Sequence, residues 1–278
     1  MTSSDLRQFL PSTAELPCSD DVPVDNEEQN LLPNLLTFSL LRLWADRLDW
    51  FFGVDMAIYH TTGINVRVPV VPECFLSLGV ERRQRGKSRW SYATWENDDI
   101  PPVFVLEMVS HIPRGEYDVD MDTYAKLGVL YYVIYNREFW QRDGHQPFEV
   151  YKLEAGTYRL QIGEPFWMPE VGLGIGRHRG KVGGLNREIL AWYDGQGNRY
   201  LSEAEQVRLR AEQVRLRAEQ ERLRAEQERL RAEQERSRAE QERLRAEQAE
   251  ALVQQDRLRM ERLEELLRSQ GIDPNDLA

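Results

Sequence analysis

Hydrophobic positions along the first two hundred residues follow two spacings, and each spacing predicts a different element. Between residues 26 and 48 apolar side chains recur close to the helical period, which predicts an amphipathic helix with Pro33 in its first turns. The helical positions are Leu31, Leu35, Phe38, Leu41 and Leu48. Dense apolar runs, typical of buried strands, occupy 51–60, 68–80, 103–110 and 129–136.

The stretch from residue 103 to 136 predicts a strand–helix–strand unit. Its short central helix covers 116–128 and ends at Gly128, a residue type that is common after the last helical turn. A crossover of this kind joins two parallel strands. Together with the two strands upstream, the unit predicts an α/β fold with a mixed sheet flanked by helices. A hairpin is predicted over 148–162, and 81–102 reads as an exposed excursion.

A different pattern begins near residue 202, where the heptad RLRAEQE repeats with small variations and without proline or glycine. Its residues favour helix, and at 1.5 Å per residue one continuous helix would be roughly 100 Å long. Leucine recurs every seventh residue from Leu209 to Leu244, with Ser237 replacing it once. This spacing fits a parallel coiled coil, with Glu212 and Arg217 placed for ion pairs between chains. Glutamine along the same seam weakens it, and pairs such as Arg222–Glu226 would also support a single charged helix.

These patterns divide the chain into four parts. An irregular segment covers 1–25, a globular domain 26–200, the heptad helix 202–270 and a short tail 271–278. Self-association through the heptad helix is expected, and its more apolar last turns would contribute most.

Composition narrows the possible functions. The chain has 36 basic and 47 acidic residues, a net charge of -11. An acidic body disfavours nonspecific binding of nucleic acid except through a local basic patch. Cys18 and Cys74 form no CxxC pair, which argues against a zinc site or a disulfide framework. No apolar run is long enough for a transmembrane helix, and no secretory signal is visible, so a cytoplasmic protein without membrane contact is expected.

One predicted strand contains a residue that the strand pattern does not explain. Within VFVLEMVS, Glu107 shares a face with Val105 and Val109. A buried carboxylate is costly unless it is paired, protonated or bound to a cation. Upstream, Pro72 and Glu73 open the segment PECFLSL within the predicted run 68–80. If the two strands are neighbours, Glu73 and Glu107 would meet at one end of the sheet.

Two carboxylates in one half-buried cleft repel each other, and a divalent cation relieves that repulsion. Oxygen ligands suit Mg²⁺, so the predicted ligands are Glu73, Glu107 and the backbone carbonyl of Met108, with Mn²⁺ as a possible replacement. Such a cation can bind a phosphate oxygen and activate water for attack on phosphorus. Spacing alone leaves open the alternative that Glu107 caps a loop or pairs with an arginine.

The only dense basic run upstream of the heptads is RRQRGKSR. It contains Arg82, Arg83, Arg85, Lys87 and Arg89. Trp90 and Tyr92 follow and could stack on bases. The run is either a DNA-contacting loop beside the cation site or a solvated hairpin tip. The glycine-rich GLGIG is not followed by the lysine and serine of a P-loop, so no nucleotide cofactor is expected.

Four segments in this order resemble the Uma2 family. They are VPVVPECFLSLGVE, PPVFVLEMVSHIPRGEYD, YAKLGVLYYVIYN and PFEVYKLEAGTYRLQIGEPFWMPEVGLGIG, within roughly residues 20 to 200. The family contains restriction-endonuclease-like proteins that are abundant in cyanobacteria and have the PD-(D/E)xK nuclease fold. The resemblance implies that fold, Mg²⁺-dependent hydrolysis of phosphodiester bonds, and DNA as the partner.

The family's motif is carried over only in part. Glu107 and Ser110 fit its Glu-Val-x-Ser element. Glu73 stands where the family has aspartate, which retains the charge but moves the carboxylate outward. Glu27, or less well Glu28, matches a glutamate on the N-terminal helix.

In the helix, this chain departs from the family's motif at one position. Tyr124 matches the helix tyrosine, but Asp120 stands four residues earlier, where the family has lysine. In this fold the lysine orients water and offsets the negative charge of the phosphate, whereas Asp120 would repel phosphate or add a metal ligand. Two functions therefore stay open. One is a metal-dependent endonuclease with Glu73, Glu107 and Asp120 as its catalytic set. The other is a catalytically degraded nuclease fold that binds DNA or assembles through its helical tail.

Overall fold

The computed structural model describes residues 10–17, 26–84, 86–112 and 115–269. The chain divides into two compact units, 1–202 and 203–278. Most of the predicted irregular segment 1–25, all of 271–278 and Arg85 lie outside the described residues.

The described residues form four α-helices and eleven strands. The helices are α1 (Glu27–Leu43), α2 (Val119–Leu127), α3 (Trp140–Asp143) and α4 (Glu203–Ser269). The strands are β1 (Trp50–Val54), β2 (Ile58–Tyr59), β3 (Cys74–Leu78), β4 (Tyr92–Ala93), β5 (Phe104–Met108), β6 (Tyr131–Tyr135), β7 (Phe148–Glu154), β8 (Thr157–Leu160), β9 (Phe166–Met168), β10 (Leu173–Val182) and β11 (Leu185–Tyr193).

The largest sheet has six strands in the order β1-β3-β5-β6-β7-β8. Strands β5 and β6 are parallel and joined through α2, and the other neighbours are antiparallel. A second sheet has the order β11-β10-β9, and β2 and β4 form a parallel pair. The predicted α/β class, the mixed sheet and the parallel crossover are confirmed.

Helix α1 begins with a capping box in which Asn26 and Gln29 satisfy each other's backbone N–H groups. Its buried stripe is Leu32, Leu36 and Leu40, spaced four residues apart. The sequence predicted a different stripe, and that part of the prediction is wrong, because Phe38, Leu41 and Leu48 are exposed. Leucine is so frequent here that two neighbouring stripes are apolar, and the pattern alone does not separate them.

The six-stranded sheet is covered on both faces. One face packs against α1 and the β10–β11 hairpin. Leu106 and Val133 of the sheet and Trp192 of the hairpin belong to the core on this side. The other face packs against α2, with Val105 and Ile134 among its residues. Alternation along each strand therefore decides whether a side chain faces α1 or α2.

The segment 81–102 is not the exposed excursion that the sequence predicted. Tyr92 and Ala93 form strand β4 and are fully buried. Arg89 is also buried, where its guanidinium donates to Asn97 Oδ1 at 2.7 Å and to the Glu81 carbonyl at 2.6 Å. The polar composition misled the prediction, because part of this segment uses its polar groups for internal hydrogen bonds.

Helix α4 runs without interruption for 67 residues, which confirms the predicted long C-terminal helix. Its described side chains from Val207 onward are exposed. Ion pairs one turn apart, such as Arg243–Glu247 at 3.0 Å, run along its surface. Across the described ranges, no helix combines the length and the apolar character needed to cross a membrane.

Candidate active site

The register of β3 and β5 brings two acidic residues to the same place. Cys74 lies opposite Leu106 and Phe75 opposite Val105, so one further step in the register places Glu73 opposite Glu107. Side chains of residues that face each other across an antiparallel pair lie on the same side of the sheet. The two carboxyl groups accordingly lie within hydrogen-bonding reach of each other.

Glu73 is held by groups from two different elements. Its Oε1 accepts a hydrogen bond from Gln29 Nε2 of α1 at 3.1 Å, and its Oε2 accepts one from the Met108 backbone N–H of β5 at 2.9 Å. These bonds fix the carboxyl group between the first turn of α1 and the end of β5. The contact that Met108 makes here is through its amide nitrogen, and a role for its carbonyl stays a prediction.

Glu107 lies on the sheet face that α2 covers. It is only 8% exposed, and its Oε1 accepts a 2.6 Å hydrogen bond from the Tyr124 hydroxyl. Tyr124 is fixed in turn by packing against Tyr132, with ring centroids 5.2 Å apart. The contacts of Glu107 are thus to a tyrosine and a second carboxyl group, rather than to the arginine or loop cap that the sequence left open.

Ionisation of both carboxyl groups at the same time is electrostatically unfavourable. Burial raises the pKa of Glu107 well above its usual range, and the charge of Glu73 raises it further. Burial also raises the pKa of Glu73, against the opposing effect of its hydrogen bonds to Glu107 and Met108. A proton between the two groups relieves the repulsion, and a divalent cation would do the same. The donor set of a buried carboxylate, Glu107, and a half-buried one, Glu73, fits Mg²⁺ or Mn²⁺.

Asp120 adds negative charge near this pair. It lies in the first turn of α2, where burial and the nearby Glu116 and Asp118 raise its pKa to about 6. Its charge also raises the pKa of Glu107. In the described part of the chain, no three His, Cys, Asp or Glu side chains form a metal-binding group. The visible effect of Asp120 on the pair is through charge.

The residue of α1 that reaches the site is Gln29, which the sequence did not single out. Glu27 is 76% exposed and forms an ion pair with Arg187 at 2.9 Å, and Glu28 forms one with Arg137. Helix α1 thus offers an amide to Glu73 where the resemblance implied a carboxylate from Glu27. The spacing from Asn26 to Gln29 is that of a capping box, which fixes where the first helical turn begins. This feature of the sequence could have indicated that Gln29 lies in that turn.

The basic run 82–89 lies at the other end of β3 from Glu73. Five strand residues, about 16 Å in length, separate Glu73 from the loop that follows Leu78. The structure thus corrects the expectation that this loop lies beside the carboxyl pair.

The basic side chains of this run have different environments. The guanidinium of Arg82 lies 3.7 Å from the ring centre of Trp50, and Arg89 is buried by its internal hydrogen bonds. Arg83 and Lys87 are exposed, and Arg85 lies outside the described residues. Two of the five predicted DNA contacts therefore have structural partners within the fold.

Comparison with known proteins identifies a family. Residues 22–179 match the protein-family model described as Uma2, putative restriction endonuclease. A crystal structure of a putative nuclease belonging to DUF820 from Anabaena variabilis is similar, with 10% sequence identity and a TM-score of 0.37, over 53% of this chain and 74% of that chain. No curated protein matches the chain.

Proposed function

Because this chain belongs to the Uma2 family, we propose that it is a metal-dependent DNA endonuclease that hydrolyses phosphodiester bonds. The observation that carries the proposal is the Glu73–Glu107 pair, two carboxyl groups of raised pKa within hydrogen-bonding reach at the end of one sheet. The cation is Mg²⁺, with Mn²⁺ as a replacement. We also propose a cytoplasmic location, in keeping with the free, buried thiol of Cys74.

The chain's own groups prepare this site before substrate arrives. The Tyr124 hydroxyl orients Glu107, while Gln29 and the Met108 amide orient Glu73. When bound, a divalent cation supplies positive charge for a phosphate oxygen and lowers the pKa of water for attack on phosphorus. Fixed hydrogen bonds of this kind reduce the reorganisation that cation binding would otherwise require.

Asp120 makes slow cleavage the expected outcome and supports a second candidate function. A carboxylate in the lysine position repels the phosphate instead of offsetting its charge. The raised pKa of Asp120, about 6, means that it is largely ionised at neutral pH. If this repulsion abolishes turnover, the domain is a degraded nuclease that binds DNA or assembles through α4.

A plasmid-nicking assay tests the proposed function. Purified protein is incubated with supercoiled plasmid and Mg²⁺ or Mn²⁺, beside Glu107→Gln, Asp120→Lys and the matched control Glu154→Gln, an exposed glutamate of β7. We expect the wild type and Glu154→Gln to nick equally, Glu107→Gln to lose nicking, and Asp120→Lys to nick faster by about tenfold or more.

The outcomes separate the two candidates. Nicking that survives in Glu107→Gln would remove the carboxyl pair from the reaction. Activity that appears only in Asp120→Lys would identify the natural chain as the degraded form.

A further inference from the structure

Four arginines, three from the β10–β11 hairpin and one from the segment after β6, line a single pocket of about 430 Å³. They are Arg137, Arg177, Arg179 and Arg187. The lining also contains Trp140 and Asn186, and Glu188 is its one acidic member. The sequence pattern alone did not indicate this pocket, because Arg137 lies 40 residues before Arg177.

The β10–β11 hairpin forms one side of this pocket. Arg177 and Arg179 lie on the same face of β10 as Ile175, which is buried in the core. The hairpin face that covers the sheet near Ile175 therefore carries arginines further along. Its far part is tied to the sheet, because the Tyr135 hydroxyl at the end of β6 donates to Glu188 at 3.1 Å.

The arginine pocket adjoins the residues that hold the carboxyl pair. Arg137 lines it and also lines a second pocket of about 190 Å³. That second pocket is lined by Gln29 and Met108, the two residues that donate hydrogen bonds to Glu73. A continuous path of lining residues thus leads from the arginines to the support of Glu73.

The arginines have ion-pair partners, so the alternative to a binding site is a structural network that only holds the hairpin in place. Arg177 pairs with Glu164 at 2.7 Å, and Arg187 pairs with Glu27 at 2.9 Å. Arg179 is different, because its side chain is 88% exposed and its Glu188 partner is 3.6 Å away. An ion pair made by so exposed an arginine as Arg179 contributes little to stability, so exchanging it for a phosphate contact costs little.

We propose that this pocket binds the phosphate backbone of DNA beside the carboxyl pair, and that the run 82–89 is not the principal DNA contact. The identity of the ligand rests on the proposed nuclease function. Guanidinium groups match phosphate oxygens in geometry and charge. An acidic chain needs such a local basic surface to approach DNA at all.

Binding of a fluorescein-labelled DNA duplex, measured by fluorescence anisotropy in EDTA so that cleavage cannot occur, tests the inference. The variants are Arg179→Glu and the matched control Arg83→Glu, an exposed arginine at the other end of β3. We expect Arg179→Glu to weaken binding about tenfold and to reduce the slope of log K against log salt by about 1. Arg83→Glu should change affinity less than about twofold.

The contradicting results are distinct from a failure of the nuclease proposal. Equal affinity of Arg179→Glu and wild type, stronger weakening in Arg83→Glu, or absence of duplex binding by the wild type would each overturn the inference. Nicking that is lost in Glu107→Gln while Arg179→Glu binds normally would leave the nuclease standing without this surface. Thermal melts of both arginine variants check that the fold is unchanged.

Discussion

The raised pKa values of Glu73 and Glu107 predict that the pair shares a proton when no cation is bound. Both groups have a pKa that burial raises, and that of Glu107 is raised further by Glu73 and Asp120. A carboxyl group with a higher pKa in the folded protein binds its proton more tightly there than in the unfolded chain. Folding stability therefore falls as the pH rises from the unfolded pKa toward the folded one.

Replacing Glu107 by glutamine should reduce this pH dependence. Glutamine is uncharged at every pH and keeps an oxygen for the Tyr124 hydroxyl. In EDTA, we expect the melting temperatures of wild type and Glu107→Gln to be close at pH 5. The variant should become the more stable protein by several degrees as the pH is raised toward 8. Differential scanning calorimetry across this range measures the effect.

Cation binding should oppose the loss of stability in the wild type but not in Glu107→Gln, because the cation binds the ionised carboxyl pair. Adding Mn²⁺ at pH 8 should therefore raise the melting temperature of the wild type and not that of Glu107→Gln. The exposed Glu154→Gln serves as the control and should follow the wild type. Parallel melting curves for wild type and Glu107→Gln at every pH would show that the carboxyl pair carries no shared proton.

At the scale of elements, local signals in the sequence predicted the centre of the fold. The unit β5–α2–β6 follows its predicted segments closely, and α2 ends at Gly128 in the left-handed conformation that glycine favours. Strand alternation and a misplaced carboxylate were enough to find Glu107. Its approach to Glu73 was also foreseen, since it required only that β3 and β5 be neighbours.

The remaining site residues depend on contacts between distant elements, which periodicity does not encode. Gln29 reaches Glu73 only because the first turn of α1 lies near the start of β3. Arg137 meets the three arginines of the β10–β11 hairpin only because that hairpin lies next to the end of β6. Arg89 is likewise buried where its guanidinium lies 4.9 Å from the ring centre of Phe51 on β1. These features became visible only with the assembled fold.

The position of Gln29 on α1 gives a prediction at this scale. Gln29→Glu would add a third carboxylate beside Glu73, so Mn²⁺ affinity at pH 8 should rise by about tenfold, as metal sites strengthen with ligand charge. Without the cation, the variant should be less stable than the wild type because like charges are brought together. Isothermal titration calorimetry measures the affinity.

Glu27→Gln is the matched variant from the same helical turn. It removes only the exposed pair with Arg187, and should leave Mn²⁺ affinity unchanged. Weaker Mn²⁺ binding in Glu27→Gln, with no change in Gln29→Glu, would show that Glu27 and not Gln29 is the residue of α1 at the cation site.

At the scale of the whole molecule, the chain combines a folded unit with a long helix whose described side chains from Val207 onward are exposed. The heptad leucines, among them Leu216, Leu223 and Leu230, are each about half exposed. The last turns are denser in apolar residues, with Leu258, Leu263 and Leu266 exposed as well. A second copy of the same helix is the simplest partner to bury these leucines, since it offers the same apolar residues and the complementary charges of the heptad.

Self-association should therefore depend most on the last turns of α4. We expect sedimentation equilibrium to show a concentration-dependent dimer for the wild type. Leu263→Glu with Leu266→Glu should shift it to monomer, because burying each leucine contributes about 1.5–3 kcal/mol. The matched pair Leu216→Glu with Leu223→Glu lies in the glutamine-rich repeats and should weaken the dimer less, since glutamine already keeps that seam wet. A wild type that stays monomeric at every concentration would instead identify α4 as a single helix supported by pairs such as Arg257–Glu261.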